Sequence, residues 1–207
     1  MQRLLITSLL VILGLFIPTT LNATNSHKLI GSVTTLGVEG DPFCTASSIN
    51  EKKRYWLTAA HCVSDDTETL LILDEAVTVL INDIPNDLAI LSTPTKSLPR
   101  LKLAKNGPTY GDKVVLIGYN GPMQMRGPIL TFGWVSHPSI VVFQQKGWTA
   151  PYMILQIPGA PGHSGSPVVN AQDEIVSVLQ WGWSKEWGPV GGGAVFAALE
   201  TYRSYWE

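Results

Sequence analysis

Three short stretches carry residues able to move a proton or attack a carbonyl carbon. The first is Leu57-Thr58-Ala59-Ala60-His61-Cys62, where a β-rich run leads straight into an imidazole. An imidazole titrates near pH 6.5, so near neutrality it can take a proton and hand it back. The second is Asn86-Asp87-Leu88-Ala89-Ile90-Leu91, an acid set just ahead of an apolar run. Taken alone, Asp87 reads as a strand-start carboxylate satisfied by backbone N–H groups. Beside a histidine, it would hold one ring tautomer and stabilise the imidazolium. Asp83 competes for that role, but Ile81-Asn82-Asp83-Ile84-Pro85 reads as a turn. The third stretch is Pro161-Gly162-His163-Ser164-Gly165-Ser166-Pro167. Its glycines let the backbone turn sharply beside Ser164. The amides of Gly162 and Ser164 could then both aim at one oxygen, as an oxyanion hole requires. The stretch is not the Gly-x-Ser-x-Gly elbow of the α/β-hydrolases, because the second Gly follows Ser164 at once. The remaining histidines have plainer readings: His27 in an exposed N-terminal arm, His137 in a turn before Pro138, and His163 packed against backbone. No His-x-x-x-His or Cys-x-x-Cys spacing occurs, so neither a metal nor a cofactor is expected.

The elements that must position these residues read as strands. Short β-rich or apolar runs fall at 30–36, 43–49, 55–58, 70–73, 76–81 and 88–91. A second set falls at 113–119, 129–136, 140–143, 153–156, 167–170, 174–181 and 192–196. Turn residues separate them, and 19 Gly and 14 Pro are spread along the chain. Such spacing argues for all-β barrels or a sandwich. The connector falls at 92–108, and the only helical candidate is the tail, 197–205.

Met1-Gln2-Arg3, an apolar run over 4–17 and Pro18 form a secretory signal, with cleavage expected after Ala23. The run is too short to span a bilayer. The mature chain is therefore expected to be secreted, extracellular or periplasmic, with no stable membrane association after signal cleavage. Export places Cys44 and Cys62 in an oxidising space, so one disulfide is expected between them. The 207 residues carry a net charge of −2, 45% hydrophobic and 14% charged side chains. That composition excludes a disordered chain, and the lack of basic surplus argues against nucleic acid as a partner.

Together, the three stretches resemble the trypsin-like (chymotrypsin-fold) serine proteases. Leu57-Thr58-Ala59-Ala60-His61-Cys62 matches that family's histidine motif residue for residue, and the order His, Asp, Ser is the family's own. Asp87-Leu88-Ala89-Ile90-Leu91 looks like its aspartate motif. Gly162-His163-Ser164-Gly165-Ser166-Pro167 looks like its nucleophile motif. Ser166 in that motif, and Gly193-Ala194-Val195-Phe196 before a short helix, are closest to the bacterial glutamyl endopeptidase-like branch. The resemblance covers about residues 28–205.

It implies two six-stranded antiparallel β-barrels with the active site between them and a short C-terminal helix. The N-terminal barrel (24–98) would carry His61 and Asp87, and the C-terminal barrel (99–207) Ser164. His61 is then the general base, Asp87 its orienter and Ser164 the nucleophile, with Gly162 and Ser164 as the oxyanion hole. Substrates would be proteins or peptides, and the molecule a monomer. The specificity pocket would lie near Pro158 and Gly159, walled by Gln180, Trp181 and Gly182, with Trp183 and Trp187 nearby. No carboxylate stands at 158–160, so a neutral or apolar residue before the scissile bond is expected.

Four features depart from the family pattern. His163 stands where pancreatic-type enzymes carry an Asp, and no Ile-Val-Gly-Gly activation site is present. Only 25 residues separate His61 from Asp87. Thr45-Ala46 replaces a glycine pair. Gln180 stands before Trp181-Gly182, where the glutamyl branch uses a His for acidic side chains. The alternative on the same residues is a catalytically idle protease-like fold used for binding.

Overall fold

β-Branched and aromatic residues dominate the runs between turns, and these runs become strands. The structure is a computed structural model that describes residues 23–63, 69–120, 127–140, 151–183 and 190–207. Residues 1–22 of the expected signal (1–23) and Trp187 lie outside the described residues, as do residues 141–143 of one expected strand. The first sheet comprises β1 (Val33–Val38), β2 (Asp41–Asn50), β3 (Tyr55–Thr58), β4 (Leu71–Ile72), β5 (Glu75–Ala76), β6 (Thr78–Asp83) and β7 (Leu88–Ser92). Its spatial order is β5-β4-β1-β2-β3-β7-β6, and every pairing is antiparallel.

The second sheet comprises β8 (Lys102–Leu103), β9 (Lys113–Gly118), β10 (Ile129–Ile140), β11 (Tyr152–Gln156), β12 (Pro167–Val169), β13 (Glu174–Trp183) and β14 (Val190–Ala194). β12 pairs with both β9 and β13, so β9, β10, β11, β14, β13 and β12 close into a ring. Closure removes sheet edges and makes this a barrel. β8 attaches outside the ring, parallel to β13.

The all-β, two-barrel architecture therefore stands, and the strand count of the first sheet is corrected. The ring of the second sheet has the expected six strands, with β8 added outside it, whereas the first sheet counts seven among the described residues. A second correction is α1 (Ala23–Ile30), a helix where an arm was expected. Its sequence holds only Leu29 and Ile30 as large apolar residues, too few to display a 3.6-residue period. Leu29 is fully buried, and the Gly31 amide closes the helix onto the His27 carbonyl at 2.9 Å. His137 lies in β10 rather than in a turn. Shifts of register on either side of it accommodate Pro138, which has no N–H to give a ladder. The tail is helical only over α2 (Phe196–Glu200), followed by a 3-10 turn, Arg203–Trp206.

Apolar residues of both sheets meet in one continuous core. Leu57, Leu88 and Ile90 from the first sheet pack with Ile117, Ile175 and Val178 from the second, and with Leu199 and Trp206 of the tail. Each sheet also has its own interior, around Trp56 and Leu91 in the first and around Leu116, Met153 and Leu155 in the second. β3 and β7, which lead into His61 and out of Asp87, therefore rest on the shared core.

Candidate active site

His61 follows β3 in a single 3-10 turn, Ala60–Cys62. Cys62 is bonded to Cys44 of β2, with the two Cα atoms 6.2 Å apart, which ties the turn to the neighbouring strand. The His61 backbone N–H donates to Asp87 Oδ1 at 2.8 Å, and His61 Nδ1 lies 2.8 Å from Asp87 Oδ2. An ionised carboxylate only accepts, so Nδ1 carries the proton and Nε2 keeps its lone pair for a substrate-side proton. Asp87 is 1% exposed while the imidazole is partly open to solvent. A buried carboxylate needs such donors, and here one residue supplies both.

Asp87 reaches this position through an unusual backbone, with φ +48°. Its amide closes a turn onto the Ile84 carbonyl at 3.1 Å. The left-handed conformation is tolerable for Asp and would strain a β-branched residue. Gln180 holds the same turn from the second sheet. Its side-chain nitrogen donates to the carbonyls of Asn86 and, at 3.3 Å, Asp87. The Tyr152 phenol is pushed up from its ordinary value by burial and then by the negative charge of Asp87. Asp83, the competing acid, has other partners. Its carboxylate accepts from the Asn86 amide and side chain, and from Tyr202 Oη at 2.7 Å.

Ser164 lies in the turn before β12. Gly162 and Gly165 have φ of +93° and +81°, conformations that L side chains rarely adopt. The Thr45 amide donates to the Ser164 carbonyl at 2.8 Å, and the Thr45 hydroxyl donates to the Gly162 carbonyl at 2.8 Å. The same hydroxyl accepts from the Tyr119 amide at 3.0 Å. Gly165 is pressed against the first sheet: a Cβ there would stand 2.1 Å from Thr58 Oγ1 and 3.1 Å from the Ala59 nitrogen. The nucleophile turn thus rests on the segment that ends in His61. The Gly165 amide is bonded back to Leu179 and the Ser166 amide to His163. The amides of Gly162 and Ser164 donate to no acceptor among the described residues, which leaves them available to an incoming oxyanion.

Around the expected pocket, Gly159 and Gly182 touch backbone to backbone, since a Cβ on Gly159 would lie 3.0 Å from the Gly182 Cα. The Trp181 indole covers Gly192 and meets Tyr152 edge-on, with ring centroids 6.1 Å apart. Gln180 is buried, and its side-chain nitrogen is turned onto the Asp87 loop. Pro158 leads directly into Gly159 on the same segment. The Trp183 side chain lies outside what is described. Sequence reasoning missed Thr45, whose hydroxyl bridges the two sheets, and it missed Gly165 as the contact point. A sharp turn beside Ser164 was legible from its glycines, but the contact of Gly165 with Thr58 and Ala59 was not.

The trypsin-like peptidase domain family matches residues 43–178, a span from β2 to β13. The chain belongs to that family, whose members are serine-type endopeptidases. Solved structures share the fold. The active form of the Rv3671c protease from M. tuberculosis superposes with a TM-score of 0.72 at 20% identity, covering 87% of this chain and 82% of that one. The HtrA-type protease AlgW with a decapeptide gives 0.70 at 18% identity, over 89% of this chain and 66% of that one. The MamO protease domain from Magnetospirillum magneticum gives 0.69 at 20% identity, over 86% and 97%. No curated protein matches the sequence.

Proposed function

We propose that the protein is a secreted, monomeric serine endopeptidase that cleaves peptide bonds through Ser164, His61 and Asp87 by way of an acyl-enzyme. The observation that carries this reading is the paired contact of Asp87 with the His61 amide and Nδ1, each at 2.8 Å. It leaves His61 Nε2 as the base for the Ser164 hydroxyl, whose turn docks on the strand leading to His61. Ser164 Oγ attacks the carbonyl as His61 takes its proton, and the Gly162 and Ser164 amides receive the developing oxyanion. His61 then protonates the leaving amine, and water attacks the acyl-enzyme with His61 again as base.

The residue before the scissile bond is neutral or apolar, and a small one suits the site best. Pro158, Gly159 and Ala160 offer no charge, and the contact between Gly159 and Gly182 leaves no slot between those two segments. The nucleophile and C-terminal motifs support a place near the glutamyl endopeptidase-like branch, but Gln180 supplies no cation for an acidic substrate side chain. A fluorophosphonate probe tests the central claim. It should label the purified protein at Ser164 and leave the Ser164→Ala variant untouched. An unlabelled wild-type protein would favour the idle, binding-only alternative.

A further inference from the structure

His163 stands beside the nucleophile, where the mechanism gives it no task, yet its ring is 3% exposed. The Ala160 amide donates to His163 Nδ1 at 3.3 Å, and the His163 amide donates back to the Ala160 carbonyl at 3.0 Å. The Ser166 amide donates to the His163 carbonyl at 3.0 Å. His163 is therefore bonded at both ends of the turn that contains Gly162 and Ser164. Because Nδ1 accepts, it bears no proton, and the neutral ring carries its hydrogen on Nε2. Nε2 is buried without a protein partner among the described residues, as is Ser166 Oγ. Both side chains abut Gly118, where a Cβ would stand 2.1 Å from Ser166 Oγ and 3.1 Å from His163 Cδ2.

We propose that His163 is a positioning residue of the nucleophile loop: as a neutral imidazole accepting at Nδ1, it folds the turn that aims the Gly162 and Ser164 amides. The proposal rests on the serine-protease reading of the preceding section. The imidazolium is incompatible with this turn. A proton on Nδ1 would point at the Ala160 N–H, and among the described residues no charged group bears on the ring. The groups against it are Ala160 and Ser166 of its own loop and Gly118 at the end of β9. The same turn is held from β2 by the Thr45 hydroxyl on the Gly162 carbonyl and from β13 by the Leu179 carbonyl on the Gly165 amide. Burial alone bears on the proton affinity of the ring and pushes it below the ordinary histidine value, and burial likewise pushes the Tyr119 phenol up. The ordered turn is therefore fully stabilised above about pH 6.5 and weakens as pH falls through the lower value of the folded state.

The test compares fluorophosphonate labelling rates of the wild type, His163→Asn and His163→Leu across the acid range. The wild type loses the neutral form of His163 in addition to any ionisation the two proteins share, so its rate falls more steeply with acid than that of His163→Asn. His163→Asn keeps an acceptor near the Nδ1 position but lacks this ionisation, so its acid limb is shallower. His163→Leu removes the acceptor and labels roughly tenfold to hundredfold more slowly at neutral pH. Identical acid limbs in the wild type and His163→Asn, or a folded His163→Leu protein labelled at the wild-type rate, would overturn the proposal. Imidazole 15N shifts of the Ser164→Ala protein supply a readout independent of activity. They should give a neutral Nε2–H tautomer for His163 at pH 7, and an imidazolium or an Nδ1–H tautomer there refutes the idea. If the wild type is never labelled, the protease reading fails while this measurement still decides the role of His163.

Discussion

Asp87 does two jobs with one carboxylate, and both depend on its ionised form. Oδ2 fixes the His61 tautomer and Oδ1 fixes the backbone on which the ring is mounted. Asp87→Asn keeps the shape but offers an N–H where an acceptor is needed. Substrate turnover should fall about 10³–10⁴-fold near neutrality, in line with loss of the correct tautomer, while circular dichroism stays native. A loss under tenfold would mean that His61 does not depend on this contact. Gly165 carries a different constraint. An added methyl would enter the space of Thr58 Oγ1 at 2.1 Å and of the Thr45 carbonyl at 2.3 Å, on a backbone with φ +81°. Gly165→Ala should destabilise by about 2–4 kcal/mol, read from urea unfolding, and should cut labelling of Ser164 by displacing it. The pairing of His61 with Asp87 was legible from the order of the three motifs taken together, since Asp87 alone reads as a strand-start carboxylate. Thr45 was not, because a hydroxyl bridging Gly162 and Tyr119 becomes visible only when two distant segments meet.

Elements deliver these residues through short connections held from both sides. The turn of His61 is held by β3 on one side and by the Cys44–Cys62 bond to β2 on the other. That bond closes a loop over a sequence separation of 18 residues. In the chain-entropy account, a loop of this size is worth about 3 kcal/mol. The double variant Cys44→Ala/Cys62→Ala should therefore melt about 6–12 °C lower in calorimetry, given the usual relation for a chain of this size. An unchanged melting temperature would show that the core alone fixes the turn. Strands β2, β3, β7, β9 and β13 were legible because their apolar runs are bounded by Gly, Pro and charged turns. β4 falls inside the apolar run 70–73, but β5 and β8 were not legible, since two residues cannot show alternation. α1 stayed hidden because its polar sequence has no apolar stripe, and its place is set by one buried residue, Leu29. Gln180 was read as a pocket wall from its neighbours Trp181 and Gly182. Its real partners, the carbonyls of Asn86 and Asp87, lie on the other sheet.

At the scale of the whole molecule, a groove between two sheets keeps its geometry only if the sheets are held together on the far side of the core. Besides the shared apolar core, the C-terminal tail straps the halves. The Asn50 side chain donates to the Tyr205 carbonyl at 3.2 Å, and Arg100 donates to the Trp206 carbonyl at 2.9 Å. The Tyr205 ring lies against Tyr55 of β3, with centroids 5.5 Å apart. Tyr202 adds a further strap, its phenol donating to Asp83 Oδ2 at 2.7 Å. Burial, followed by the Asp83 hydrogen bond and its negative charge, pushes that phenol up to about 12. A free tyrosine ionises near pH 10, so the unfolded chain loses this proton first. The strap therefore stabilises the fold fully below about pH 10, and its contribution disappears as pH climbs through about 12. Tyr202→Phe has no such proton and no such bond. Wild type should melt above Tyr202→Phe at pH 8, and the gap should close between pH 10 and pH 12. Every other titrating group is common to the two proteins, so the difference between their melting curves isolates this one. A gap that stays constant across that range would show that Tyr202 stabilises the fold by packing alone, with Asp83 satisfied by Asn86 and indifferent to the phenol.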